Sequence, residues 1–502
     1  MRLLCPVLCA LLQSAVLNAG SIAHVKRQSA SPEVARDLVN ILSPNAAVIV
    51  PEGPTWNSSI ARGSNPRISP GYRISVEVAT EEEVGATVNY ANQNGIDFLV
   101  VSGGHGGSTT LNRLRDGIQI HMRQLNSVTV LDDETALVGG GTLQWELISQ
   151  LYPHGRRAVT GLCEYVSVIG PLLGAGHSLL QSQYGFALDG LVSVNVVLAN
   201  GTATQASSIT KEDLFWAIRG AGHNFGVITS YTVRTHPITS TWSLYTFFYT
   251  EEQIDTVFSL VNGIDSPPAT RDPKFFLLGW IVSPGPKQAP LVQYSLACDG
   301  AASELETRAA PFLALNPITA NLTTNVTHAD IHRTLGAGRD IYACSKGTNQ
   351  AMSGISLSRY NTAGVHKAYT LATTMSADPR FPNSAVLLEN YGMDAVREVD
   401  TNAMALAPEE RERPILATPL IHYVGDDEDT KAQAAVWLKD LTDALYEGVA
   451  EAERHAYVNY ATGNESVPEI YGREEWRLER LRGLKQTWDP ENKFRFFLPL
   501  VE

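Results

Sequence analysis

Cysteine is scarce in this 502-residue chain, with five residues at positions 5, 9, 163, 298 and 344. That is too few for a disulfide scaffold. No Cys-x-x-Cys and no His-Glu-x-x-His occurs, so dithiol exchange and zinc proteolysis lose their usual signatures. The phosphate-binding G-x-x-x-x-G-K-[ST] and the hydrolase G-x-S-x-G are also missing, which argues against phosphoryl transfer and α/β-hydrolase chemistry. There is no block of Lys and Arg: 38 basic residues stand against 52 acidic ones, for a formal net charge of −14. Such a chain is a poor nucleic-acid binder and is repelled by anionic lipid. Beyond the first twenty positions no apolar run is long enough to cross a bilayer. What is present is globular: 44% hydrophobic and 18% charged residues, with 40 Gly and 26 Pro. The length predicts about two to four domains.

Residues 1–19 read as a secretory signal, with Arg2 as the basic start, a mostly apolar stretch from Leu3 to Leu17, and small residues near Ala19. Gln13 and Ser14 interrupt the stretch, which is short for a membrane anchor. A secreted, soluble mature chain is expected, and Lys26-Arg27 offers a dibasic processing site. Five Asn-x-Ser/Thr sequons, at Asn57, Asn200, Asn321, Asn325 and Asn464, are expected glycan sites. Asn200 is the weakest, because Asn200-Gly201 falls where a hairpin turn is expected. Removing the signal leaves Cys163, Cys298 and Cys344, an odd number for an oxidising compartment. A Cys298–Cys344 bridge would leave one thiol to be explained.

From residue 70 short elements alternate. ISVEV (74–78) has strand periodicity, and Thr80 to Glu83 forms a capping box that opens a helix to about Asn94. DFLVV is a buried strand running into Ser102-Gly103-Gly104-His105-Gly106-Gly107-Ser108. Hairpins are expected over 127–138 and across Asn200-Gly201, with helices over 142–152 and 210–219. Residues 240–455 carry candidate strands SLYTFFY, FFLLGWIV and VQYSLA and helices over 251–263 and 431–447. A last helix spans 474–487. The predicted class is α+β.

Glycines carry the chemistry. A strand ending in four glycines around one histidine exposes successive amide N–H groups, a concave site for a pyrophosphate; alternatively, the same loop is a solvated surface turn. Two further clusters, Gly170 to His177 and Gly220 to Gly226, lack the third glycine of the Rossmann fingerprint, and no acidic residue follows the second within about twenty positions to hold a ribose. A nicotinamide-binding domain is not expected.

SGGHGG, then Gly161-Leu162-Cys163-Glu164-Tyr165-Val166, LLGAGHSLLQSQYGFALDGLVSVNVVLANG and DLFWAIRGAGHNFGVITSYTVRTHP resemble the FAD-linked oxidases of the vanillyl-alcohol oxidase (PCMH) type. The nearest likeness is to the berberine-bridge-enzyme-like branch with its secreted fungal members. YVNY and YGREEWRLERLRGLKQTWDPENKF resemble that branch's closing segment. The resemblance implies an N-terminal FAD subdomain over 20–69, a PCMH-type FAD-binding domain over 70–239, a substrate domain with a helix-covered antiparallel sheet over 240–454, and a segment 455–502 returning to the FAD domain. It also implies FAD covalently bound through His105, with a second bond from Cys163 that would use the odd thiol. Cofactor contacts are expected from Ser102, Gly103, Gly104, Gly106, Gly107, Ser108, Gly174, Gly176, His177, Gly226, Val227, Ile228 and Asn459. Tyr460 matches the position of a catalytic base in many relatives, and Tyr457 is the alternative; Asn459 would bond the flavin or orient the phenol. Val166 matches a small residue associated with oxygen access.

The implied function is a secreted oxidase moving hydride from an alcohol, sugar or phenol to FAD, with O₂ reduced to H₂O₂. One alternative is a tailoring oxidoreductase or oxidative cyclase of secondary metabolism, for which an apolar pocket would speak. Another is a non-catalytic flavin-binding protein. The chain departs from the pattern at Val101, Pro171, Ala175 and His223, and no acidic base of the alkaloid-cyclising kind is found at an alignable position.

Overall fold

The computed structural model describes residues 32–63, 66–131, 133–264, 272–338 and 346–502. The expected signal at 1–19, Lys26-Arg27, Cys5, Cys9 and Cys344 lie outside the described residues.

The first sheet has the order Ala47–Ile49, Tyr72–Glu77, Gly117–His121, Phe98–Val101. Its first pair is antiparallel and the other two are parallel. A parallel connection needs a crossover, here supplied by the helix Glu81–Gln93. The Thr80 side chain accepts the Glu83 N–H while the Glu83 carboxylate takes the Thr80 N–H, so the expected capping box fixes the helix start. A second sheet of five antiparallel strands runs Val128–Val130, Thr135–Gly139, Val227–Arg234, Leu191–Val197, Ala203–Ser207. The hairpin at 198–202 turns on Gly201, with φ +78°.

The third sheet decides the shape of the site. Its antiparallel strands run in the order Thr319–Val326, Trp242–Tyr249, Leu291–Cys298, Phe275–Val282, Ala385–Asn390, Ile415–Tyr423, Asn349–Met352, and Ile355–Leu357 also pairs with Ile415–Tyr423. Both faces are covered. Phe275, Leu277 and Ile281 pack against the helices Ile254–Ile264, Ala302–Ala314, Thr362–Ser376 and Glu428–Leu445. Phe276 and Leu278 point the opposite way, into the core shared with the second sheet, which together with the first sheet makes the first lobe. Burial on both faces explains why FFLLGWIV is continuously apolar rather than alternating. The expected α+β class with a helix-covered antiparallel sheet is the one found. The sequence reading passed over the strands Gly117–His121, Ala385–Asn390 and Ile415–Tyr423, although turn residues flank them at Asp116-Gly117, Pro382-Asn383 and Gly425-Asp426.

The tail folds back across the first lobe. Lys485 is buried, pairs with Asp489 at 2.7 Å, and donates to the carbonyls of Asn224 (2.8 Å) and Phe494 (3.0 Å). Thr110 donates to the Phe496 carbonyl at 3.0 Å. Asn57, Asn200, Asn321, Asn325 and Asn464 are all exposed. Cys298 is a buried free thiol, so the Cys298–Cys344 bridge does not form. Among the described residues no helix is long and apolar enough to cross a membrane.

Candidate functional site

A cavity of about 360 Å³ lies between the glycine loop of the first lobe and the inner face of the third sheet. On the lobe side it is walled by Ser102–Gly106, Gly161–Cys163, Val166, Ser167, Pro171, His177, Gly226–Ile228 and Phe494. The loop is fastened from behind. Ser102 donates to the Gly140 carbonyl at 2.8 Å, Gly63 N–H to the Gly104 carbonyl at 3.0 Å, and the Arg62 guanidinium to the Gly106 carbonyl at 3.3 Å. The Gly104 and Gly106 carbonyls are thus taken, while the amides of Gly103, Gly104, Gly106 and Gly107 meet no acceptor among the described residues. A Cβ on Gly103 would come within 2.7 Å of the Ser167 backbone nitrogen, and Gly104 has φ +79°. Only glycine permits this close, left-handed path.

Charge converges here as well. The Lys346 ammonium stands 3.4 Å from where a Cβ on Gly104 would be. Burial pushes its pKa down to about 8, and Arg62 and Arg123 add repulsion. In a chain of net charge −14, basic groups crowded beside free amides form an anion site.

The sheet side is apolar with one exception. Leu278, Trp280, Leu387, Leu420 and Met352 face the cavity, and strand register sets Leu278 opposite Glu389 and Trp280 opposite Leu387. Glu389 is 2% exposed. The Tyr391 hydroxyl donates to its Oε1 at 2.5 Å, and its Oε2 has no partner among the described residues. Burial raises this carboxyl to about 7, against the pull of the Tyr391 hydrogen bond and of His177. It was missed from sequence. The available signal was one acid in the buried run AVLLEN, at the same parity as Leu387.

The structure brings Tyr457, Tyr460, Asn459, Val166, Cys163, His105 and His177 onto the cavity wall. Burial drives both phenols upward, Tyr460 further raised by Glu389 and Tyr457. The Tyr457 oxygen takes N–H groups from Asn459 (2.7 Å) and Gly176 (3.3 Å), while Asn459 also donates to the Pro171 carbonyl at 2.9 Å. Asn459 therefore orients the phenol and pins the 171–174 turn. Gly107, Ser108, Gly174 and Gly176 are not on the wall. Ser108 caps Thr110, and Gly174 packs under Val458 and Asn459, so these positions shape the loops from behind. His223 hydrogen-bonds the Gly170 carbonyl at 3.0 Å against Phe497, and burial holds its pKa near 4. The expected thiol at Cys163 is absent, because its sulfur is in a disulfide.

A FAD binding domain model matches residues 72–207, and a berberine and berberine-like model matches 456–499. An FAD-linked oxidoreductase of Penicillium roqueforti is 31% identical over 95% of this chain and 93% of its own. One from Pyricularia oryzae is 32% identical with the same coverage. The chain belongs to the FAD-linked oxidoreductases.

The fold of this FAD-linked oxidoreductase is similar to that of solved oxidases. A xylooligosaccharide oxidase of Myceliophthora thermophila superposes with a TM-score of 0.79 at 22% identity, covering 93% of this chain and 99% of that one. An Acremonium strictum glucooligosaccharide oxidase, whose FAD is described as 6-S-cysteinyl and 8α-N1-histidyl, gives 0.80 at 17%, covering 93% and 98%. The residues here fit FAD: free loop amides beside Arg62 and Lys346 suit its diphosphate, and the long apolar wall suits its rings. A second tether from Cys163 does not fit this form of the chain, because a sulfur already in an S–S bond has no thiolate to add to a ring.

Proposed function

We propose that this enzyme oxidises an alcohol carbon of a small, mostly apolar natural product, with Glu389 as the base. When bound, FAD would supply the hydride acceptor for this oxidation, with O₂, reduced to H₂O₂, as the final oxidant. His105 is its covalent anchor. Secretion, expected from the leader, suits a chain with five exposed sequons.

The unpartnered Oε2 of Glu389 carries this reading. A general base works best when its pKa lies near the working pH. Glu389, raised to about 7, meets that condition, whereas the buried phenols of Tyr457 and Tyr460 hold their protons. Tyr391 holds one carboxylate oxygen and leaves the other for the substrate hydroxyl. Tyr460, expected as base, instead presents an aromatic wall beside the reacting carbon. Leu278, Trp280, Leu387 and Leu420 exclude water and offer few partners to a polyhydroxylated sugar. That lining favours the tailoring role over carbohydrate oxidation.

The test is anaerobic flavin bleaching with a panel of aromatic and alicyclic alcohols and with xylobiose. Bleaching by the apolar alcohols, lowered about 10²–10⁴-fold in Glu389→Gln at unchanged flavin content, supports the proposal. Faster bleaching by xylobiose, or full turnover in Glu389→Gln, overturns it.

A further inference from the structure

From His177 on the cavity wall a buried ionic cluster runs inward that the reaction above does not use. On Glu410, Oε1 accepts from His455 Nε2 at 2.6 Å and Ser356 Oγ at 3.2 Å, and Oε2 faces His177 Nε2 at 2.9 Å. The other ring nitrogen, His177 Nδ1, lies 3.0 Å from Gln181 Oε1. That amide cannot be flipped. Its oxygen also takes the Ser178 N–H at 3.0 Å, and its nitrogen donates to the Gly392 carbonyl at 3.3 Å. Reversing it would set donor against donor and acceptor against acceptor. Nδ1 therefore carries a proton. Nε2 faces a carboxylate already stabilised by two other donors, so the proton between them belongs to the imidazole. His455 differs: its Nδ1 is buried without a partner among the described residues, and it donates to Glu410 through Nε2 alone.

We propose that His177 donates from both ring nitrogens, Nδ1 to Gln181 and Nε2 to Glu410, and that it is a positioning residue for the Glu389–Tyr391 pair. The His177 ring lies flat on Tyr391, with centroids 4.7 Å apart and planes 21° apart, and the Tyr391 hydroxyl in turn holds Glu389. A cation against a phenol face attracts it and fixes its plane. Phe186 and Tyr457 close the other sides edge-on at 4.9 and 4.8 Å. The next cation, Arg411, lies over Phe186 and is neutralised by Asp189 at 2.6 and 3.0 Å. The charge Glu389 meets from this side is thus that of His177, with Glu410 as the more distant counter-ion. Only this last coupling rests on Glu389 being the base.

Nitrogen-15 spectra of the histidine-labelled holoenzyme test the charge directly. One histidine should show both ring nitrogens protonated at neutral pH. If none does, the proposal falls, and no variant is needed to learn this. The signature should vanish in His177→Gln, which assigns it, and in Glu410→Gln; persistence in Glu410→Gln overturns the role of Glu410. The coupling is read from the infrared band of the protonated Glu389 carboxyl, assigned by its loss in Glu389→Gln. Its titration midpoint should rise by about one pH unit in Glu410→Gln. An unmoved midpoint with the imidazolium lost overturns the link to Glu389. Failure of the base assignment shows separately, as turnover surviving in Glu389→Gln with the histidine spectra unchanged.

Discussion

Replacing Glu389 with glutamine should remove turnover and stabilise the folded chain, and the stabilisation should appear only on the alkaline side. In the folded protein the carboxyl holds its proton up to about pH 7, against an ordinary 4.5. A raised pKa contributes stability that is complete below the unfolded value and is lost as pH climbs through the folded one. The difference between 4.5 and about 7, at about 1.4 kcal/mol per unit, is about 3 kcal/mol. Glu389 is 2% exposed, so solvent screens little of this. Glutamine keeps the acceptor for Tyr391 and never ionises. At about 2 cal/mol/K per residue the unfolding entropy of 502 residues is about 1 kcal/mol/K, so the gain converts to about 3 °C. Thermal melts of both holoproteins at about pH 5 and about pH 9 read it: the variant should melt alongside the wild type at the lower pH and above it at the higher. An equal shift at both pH values, or none, would mean that Glu389 ionises like a solvated glutamate, and its role as base would go with it. A site that is stabilised by losing its function is an expected trade in enzymes.

Acid precipitation of His105→Ala should release all of the flavin, whereas Cys163→Ser should keep it in the pellet; flavin retained by His105→Ala would move the tether elsewhere. Gly103→Ala drives a methyl into the Ser167 backbone nitrogen at 2.7 Å, and the flavin-to-protein absorbance ratio should fall about tenfold or more, since neither backbone yields cheaply. Lys485→Met strands the buried Asp489 carboxylate and should cost about 3–5 kcal/mol in urea unfolding; a loss under about 1 kcal/mol would show that the tail is held by its apolar contacts alone.

Local chemistry was legible before any coordinates. The Thr80–Glu83 box, the Asn200-Gly201 turn and the glycine run around His105 each depend on residues near in sequence, whose preferences hold wherever the segment sits. The likeness to FAD-linked oxidases rested on such strings. Glu389 escaped notice because alternation in AVLLEN separates two faces without saying which meets the cavity, and in a sheet buried on both sides neither face is polar. The state of Cys163 was equally out of reach, since pairing depends on approach in space and three cysteines admit several outcomes. His177, Glu410 and His455 are separated by more than two hundred residues in one direction and 45 in the other. Sequence determined which segments could cradle a dinucleotide; the packing of one sheet against that cradle decided which carboxyl faces it, because proton affinity is a property of surroundings and not of residue type.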